Sequence, residues 1–209
     1  PKKKVYIDGR LVIRSPESFR KYLEVLDNPE EFHHLCSRHG ITRVAVPTAV
    51  FNRYLPLAGM LYHDPVWRPV YCDGSSALFA LEGTTSLPRV DLFQAADVLL
   101  LEQELIERFA GEPYAEEAAR THLGAFLLYL GSLDLAQKVL EPLRSAESRR
   151  HLARCYYFQD RAAEALEISM ALLAENSRDV NSLNLAARIH LNKGEMNKAL
   201  DYVHRVLKV

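Results

Sequence analysis

Cysteine is scarce in this chain of 209 residues: Cys36, Cys72 and Cys155 are the three, and they lie far apart. They form no CxxC pair and no zinc-ligand spacing, and an odd count excludes a full disulfide framework while leaving one bridge open. Long apolar runs are missing too. The best stretch, Ala95 to Leu101, is interrupted by Asp97 and closed by Glu102, well short of the ~20 residues that span a bilayer. No excess of one charge exists: 26 Lys and Arg face 27 Asp and Glu, a net charge of −1. Nothing in that balance draws the chain to nucleic acid or anionic lipid. Nucleotide and hydrolase signatures are also absent. There is no GxGxxG and no Walker loop. Asp8-Gly9-Arg10 cannot cradle a pyrophosphate alone, and Gly74-Ser75-Ser76 is a turn rather than a nucleophile elbow.

What is present reads as ordinary folded protein, 48% hydrophobic and 25% charged. Val5 to Asp8 is a short strand, followed by an Asp8-Gly9 turn. Ser15-Pro16-Glu17 starts a helix with Phe19, Tyr22, Leu23 and Leu26 on one face. Asn28-Pro29 starts a second, with Glu31 three residues after the cap, Phe32, Leu35 and Cys36 inward, and Gly40 at its end. Ile41 to Pro47 is a buried strand. Strand, helices and strand in that order predict a βαβ unit with a parallel pair. Thr48 to His63 is helical, with Pro56 the one place where it could break. Trp67–Cys72 and Ser76–Leu81 form a hairpin about Asp73-Gly74. Gly83 to Pro88 is a linker, and from Val90 onward the pattern is helical, opening with an entry helix marked by Phe93, Val98, Leu101, Leu105 and Phe109.

The last ninety or so residues repeat. Leu123-Gly124, Leu152-Ala153 and Ala186-Ala187 occupy matching places, and Leu127, Tyr156 and His190 follow. Gly131, Asp160 and Gly194 fall at a turn, and Ala136, Ala165 and Ala199 close each unit. Ala165 and Ala199 are 34 apart, Ala136 and Ala165 29 apart, and the step from Gly124, Ala153 or Ala187 to its closing alanine is always 12. Small residues at these places let two antiparallel helices approach closely, and units of this kind stack because one pair cannot bury its apolar face alone. This pattern resembles a tetratricopeptide (TPR) repeat array with a clipped first linker. The expected fold class is thus α+β followed by all-α. A small α/β domain over residues 1–85 holds the parallel pair and the hairpin. A helical TPR-like superhelix over 86–209 has units of about 117–145, 146–179 and 180–209.

The N-terminal part carries a second resemblance. Asp8, Gly9 and Arg10, then Asp64, Pro65 and Trp67, then Tyr71, Asp73 and Gly74 resemble the soluble tail of bacterial polytopic, glycosyltransferase-like membrane proteins. That likeness implies a membrane-embedded parent chain, of which this sequence, opening on Pro1, is an excised part. It also implies a position on the extracytoplasmic, periplasmic face of the inner membrane; a cytoplasmic location is the alternative.

Candidate chemistry is thin. His33, His34 and His39 share a helix with Cys36, and His33 and Cys36 are three apart, close enough to share a metal. No second ligand pair has matching spacing, so a packing helix is the favoured reading. Glu102, Glu104, Glu116 and Glu117 read as solvated helix charges. No cofactor, metal or catalytic residue is expected, and no enzyme activity for this stretch of chain. The TPR resemblance implies a concave binding face instead. Its first unit would offer Thr121, Ala125 and Leu128, its second Arg150, Arg154, Tyr157 and Phe158, and its third Asn184, Arg188, Leu191 and Asn192. Arg154 and Arg188 stand at equivalent places, suited to a carboxylate or an acidic peptide. The competing reading leaves these arginines solvated, or pairs them with Glu147, Asp160 or Glu164. The expected function is a non-catalytic protein-interaction or assembly module with a protein or peptide partner. An accessory sugar- or nucleotide-binding domain, with a pocket where the strands end near Ile7 and Val46, is the alternative.

Overall fold

A computed structural model describes residues 17, 20, 24–26, 28–49 and 51–208. The expected strand Val5–Asp8, the turn after it and its parallel pairing lie outside these residues, as does most of the helix begun at Ser15. The first complete helix, α1 (Pro29–His39), forms for the reasons its sequence offers. The Asn28 side chain accepts the N–H groups of Glu30 and Glu31, and Gly40 ends the helix with φ 62°. Strand β1 (Arg43–Pro47) then leads to α2 (Phe51–His63), which contains Pro56 without ending there.

Strands β2 (Trp67–Cys72) and β3 (Ser76–Leu81) make the hairpin, with a register shift between Pro69 and Tyr71. Asp73 shapes its turn: Oδ1 accepts the N–H groups of Ser75 and Ser76 and both hydroxyls. The sheet order is β1-β3-β2, and both pairings are antiparallel. The described partner of β1 is therefore the hairpin, with Arg43 opposite Ala80 and Pro47 opposite Ser76. Trp67 and Phe79 are fully buried, and the Phe32 ring packs on Trp67 at 5.8 Å between centroids. The segment expected as a linker is tied down. Arg68 donates to the Thr85 carbonyl, and Val90 N–H donates to Pro69. The Tyr62 hydroxyl donates to Asp91 and accepts the Leu92 N–H.

The rest is helical: α3 (Ala95–Arg108), α4 (Pro113–Leu130), α5 (Leu133–Leu140), α6 (Ala146–Phe158), α7 (Ala162–Glu175), α8 (Val180–Asn192) and α9 (Met196–Val206). The structure is thus mostly helical with a small antiparallel sheet. Helices pair as α4–α5, α6–α7 and α8–α9, and the three hairpins are closed alike. Gly131, Asp160 and Gly194 have φ of 88°, 60° and 74°. The next N–H donates backward five residues each time, Ser132 to Leu127, Arg161 to Tyr156 and Glu195 to His190, all at 2.9 Å. This is the six-to-one closure of a helix that ends in the left-handed region. Asp160 is the one described non-glycine residue with positive φ, a conformation a short polar side chain tolerates. The closing alanines are buried: Ala136 and Ala165 at 0% exposure and Ala199 at 6%. The core is continuous from Leu26 through the sheet to Ile189.

Carboxylates expected in solvent instead tie helices together. Arg120 bridges Glu102 of α3 and Glu116 of its own helix at 2.7 and 3.0 Å. Glu117 accepts the backbone N–H groups of Arg144 and Ser145, at the start of α6. The Ser145 N–H first, and then the Arg144 N–H, hold the Glu117 carboxyl below its ordinary value of 4.5. A carboxylate with a lowered folded pKa contributes stability that is complete above its unfolded pKa and is lost as pH falls through the folded value. Glu117→Gln is expected to lower the unfolding free energy at pH 7. The gap from wild type should shrink below about pH 4.5 and vanish at still lower pH. Denaturant titrations across that range measure it, and a gap independent of pH refutes the role.

Two glycines separate backbone strain from packing. Gly74 and Gly83 share φ +77°. A Cβ on Gly83 meets nothing within 4 Å, whereas one on Gly74 would lie 2.1 Å from the Ala119 carbonyl oxygen of α4. Gly83→Ala should cost about 1–2 kcal/mol, the left-handed penalty alone. Gly74→Ala should cost a further ~1–3 kcal/mol from overpacking. Equal urea midpoints for the two variants would show that the hairpin does not seat on α4.

Candidate functional site

The first helices of the three pairs, α4, α6 and α8, touch in sequence order. Each begins with a local start signal: Pro113 at the first position of α4, Ser145 capping α6 through Ser148 N–H, and Asp179 capping α8 through Ser182 N–H. The positions expected to line a binding face project from these helices. Those of α4 are not open: Thr121, Ala125 and Leu128 are all buried. Helix α2 lies against α4, so closely that a Cβ on Gly59 would stand 3.0 Å from the Tyr129 ring.

The positions on α6 and α8 divide into two sets. Arg150 is engaged internally, its Nε 2.6 Å from Asp179, a carboxylate only 5% exposed. Asn192 donates to the Tyr157 hydroxyl at 2.8 Å, joining α8 to α6, and Phe158 packs edge-on to Tyr157. Arg154, Phe158, Asn184 and Arg188 are exposed. Neither Arg154 nor Arg188 has a described carboxylate within 4.0 Å. Glu164 pairs with Arg161 and Glu175 with Arg149. Partial desolvation first, and then the positive charge of Arg188, hold Arg154 below its ordinary pKa. Nearby, burial first and then the charges of Arg154, His122 and Arg150 lower His151 to about 4, so it is neutral at pH 7.

Two cavities open beside this pair. One, about 370 Å³, lies between α2, α4 and α6 and is lined by Leu55, Leu128, Tyr129, His151, Arg154 and Phe158 among others. The second, about 590 Å³, lies between α8 and α9; Ala187 and Ala199 line it with Arg188, Leu191, Leu200 and Val203. The sequence pattern placed Ala125, Leu128, Arg154, Phe158, Asn184, Arg188 and Leu191 on this face and missed the rest. Leu55 and Tyr129 carried no usable signal, because nothing in a helical period reveals which distant helix will dock. Met196, Leu200, Val203 and Leu207 did carry one: an apolar stripe at helical spacing whose members are 41–77% exposed.

Elsewhere the chemistry is structural. His33 is drawn to Asp64 at 2.6 Å while Cys36 is buried in the core. Among the described residues no group of three His, Cys, Asp or Glu could hold a metal. The cysteines are buried and unpaired, and burial raises each thiol pKa, to about 11 for Cys36 and Cys155 and about 12 for Cys72. No protein-family model matches this chain, and no curated protein matches it in sequence.

Asp179 serves two partners, the Ser182 N–H at 3.0 Å and Arg150. Asp179→Ala removes both and should cost about 1–3 kcal/mol. Asp179→Asn keeps the capping oxygen and should cost less, and in an Arg150→Ala background the difference between Asp and Asn should largely disappear. Thermal or urea melts of wild type and the four variants decide it. Asn and Ala variants of equal stability would remove the cap from the account.

Proposed function

We propose that this chain is a non-catalytic protein-interaction module, holding an acidic segment of a partner protein on the face built from α4, α6 and α8. The observation that carries the reading is the uncompensated pair Arg154 and Arg188. Other arginines of the helical pairs, Arg149, Arg150 and Arg161, sit on Glu175, Asp179 and Glu164. Two guanidinium groups that raise one another's energy favour a ligand that brings negative charge between them. Asn184 stands beside Arg188 on the same wall and supplies a neutral donor and acceptor. On this reading the helical pairs form a TPR-like superhelix over residues 86–209, the face is its concave side, and Tyr157, Phe158 and Asn192 border the ligand. Residues 1–85 form the companion α/β domain, whose helix α2 covers the first unit. Attachment to a membrane-embedded chain, on the extracytoplasmic side, belongs to the same reading and rests on the resemblance of Asp8 to Arg10 and Asp64 to Gly74. None of the described helices is long and apolar enough to cross a membrane.

The test is charge reversal. Arg154→Glu with Arg188→Glu should leave the far-ultraviolet circular dichroism unchanged, because both side chains are exposed. Binding of fluorescent peptides containing Glu-Glu should fall by about 2 kcal/mol or more, and Gln-Gln versions should bind weakly to either protein. Equal affinity of wild type and double variant for the acidic peptides would remove these arginines from any binding site.

A further inference from the structure

The surroundings of the arginine pair say more about the ligand than its charge. Arg154 forms part of the wall of the first cavity, whose other walls are mainly apolar: Leu55, Leu128, Tyr129 and Phe158. Arg188 forms part of the wall of the second, where Leu191, Met196, Leu200 and Val203 surround Ala187 and Ala199. The two arginines lie close enough for the charge of one to lower the pKa of the other. Along this face the order is apolar cavity, two cations, apolar cavity. In the second cavity the alanines are buried while Leu191, Met196, Leu200 and Val203 are 41–54% exposed. In the preceding pair the residues 34 before Met196, Leu200 and Val203 are better covered: Ala162 and Leu166 are half-buried and Ser169 is fully buried, under the contact of α7 with α8.

We infer that the partner segment carries acidic residues at its centre and a bulky apolar side chain on each side, one for each cavity. This rests on the reading of Arg154 and Arg188 given above and specifies its ligand. Charge selects this occupant over a second copy of the chain, which would bring its own Arg154 and Arg188 against the same groups. Size agrees with it. Each cavity, at about 370 and 590 Å³, has room for one large side chain. Adjacent helices stand roughly 8–10 Å apart, so cavities on either side of α6 and α8 are roughly 20 Å apart. An extended chain covers that in about six residues. The segment is therefore short, with its anchors about six positions apart and its carboxylates between them.

The experiment uses a fluorescent 12-residue peptide with Leu at two positions six apart and Glu-Glu between them. Its variants replace either Leu or both by Ser, or the glutamates by Gln. Affinity is measured by anisotropy for wild type, for Arg154→Glu, and for the two cavity variants Phe158→Asp and Leu200→Asp. Both cavity changes fall on half-exposed side chains, and circular dichroism checks that folding is unchanged. Each Leu→Ser change should weaken binding at least roughly tenfold. One of them should have little further effect on Phe158→Asp and the other little on Leu200→Asp. If the glutamates and Arg154 matter but neither leucine does, the two-anchor inference is wrong and the acidic-segment reading stands. If no peptide binds, or Arg154→Glu leaves binding unchanged, both fall. A dimer in sedimentation that Leu200→Asp abolishes would place a second copy in the second cavity and overturn the inference.

Discussion

Gly124 has no space for a side chain: a Cβ there would lie 2.5 Å from Cγ of Leu140. The close approach of α4 and α5 depends on that missing atom, and the same demand recurs down the chain. Ala153 and Ala187 occupy the matching places in α6 and α8, 1% and 7% exposed. The closing alanines fill the opposite wall. Helix pairs this tight need a short reversal, which the left-handed residues Gly131, Asp160 and Gly194 supply. Once three pairs share one closure, their first helices stack side by side, and a common face follows without further instruction.

Charge is distributed over that frame unevenly. Most of the half-buried carboxylates have duties inside the fold. Glu102 and Glu116 hold Arg120, Glu117 caps the start of α6, and Asp179 caps α8 while gripping Arg150. Glu102, Glu117 and Asp179 each link two elements, so these carboxylates near the stack serve assembly. Arg154 and Arg188 are left without a described carboxylate, and the charge of Arg188 acts on Arg154. A near-neutral chain can thus carry a local cationic strip, because what a ligand meets is the field at the face and not the sum over 209 residues.

The sheet side contributes more than a neighbouring domain. Gly74 in the hairpin turn seats on Ala119, and Arg108 of α3 reaches Asp73 at 3.3 Å. Helix α2 lies over α4 and closes the first part of the face, converting an open groove into a cavity with Leu55 and Tyr129 in its walls. The other end, at α9, has no such cover among the described residues. The face is therefore asymmetric: enclosed at one end, open at the other, and charged between.

Much of this was legible in the sequence, and for local reasons. Asn28-Pro29 and Gly40 bounded α1, Asp73-Gly74 made the hairpin, and the spacing of glycine, aspartate and alanine marked three helix pairs and their turns. Each depends on backbone freedom or on side chains within a few residues of one another, which order along the chain specifies directly. The equivalence of Arg154 and Arg188 was legible for the same reason. What the tertiary structure alone decided is who meets whom at a distance. It paired β1 with β3, set Asp179 rather than Glu147 against Arg150, turned Glu102 and Glu117 from surface charges into ties, and laid α2 beside Ala125 and Leu128. Those outcomes follow from packing the whole apolar core at once, and periodicity along one helix holds no information about the partner that will cover it.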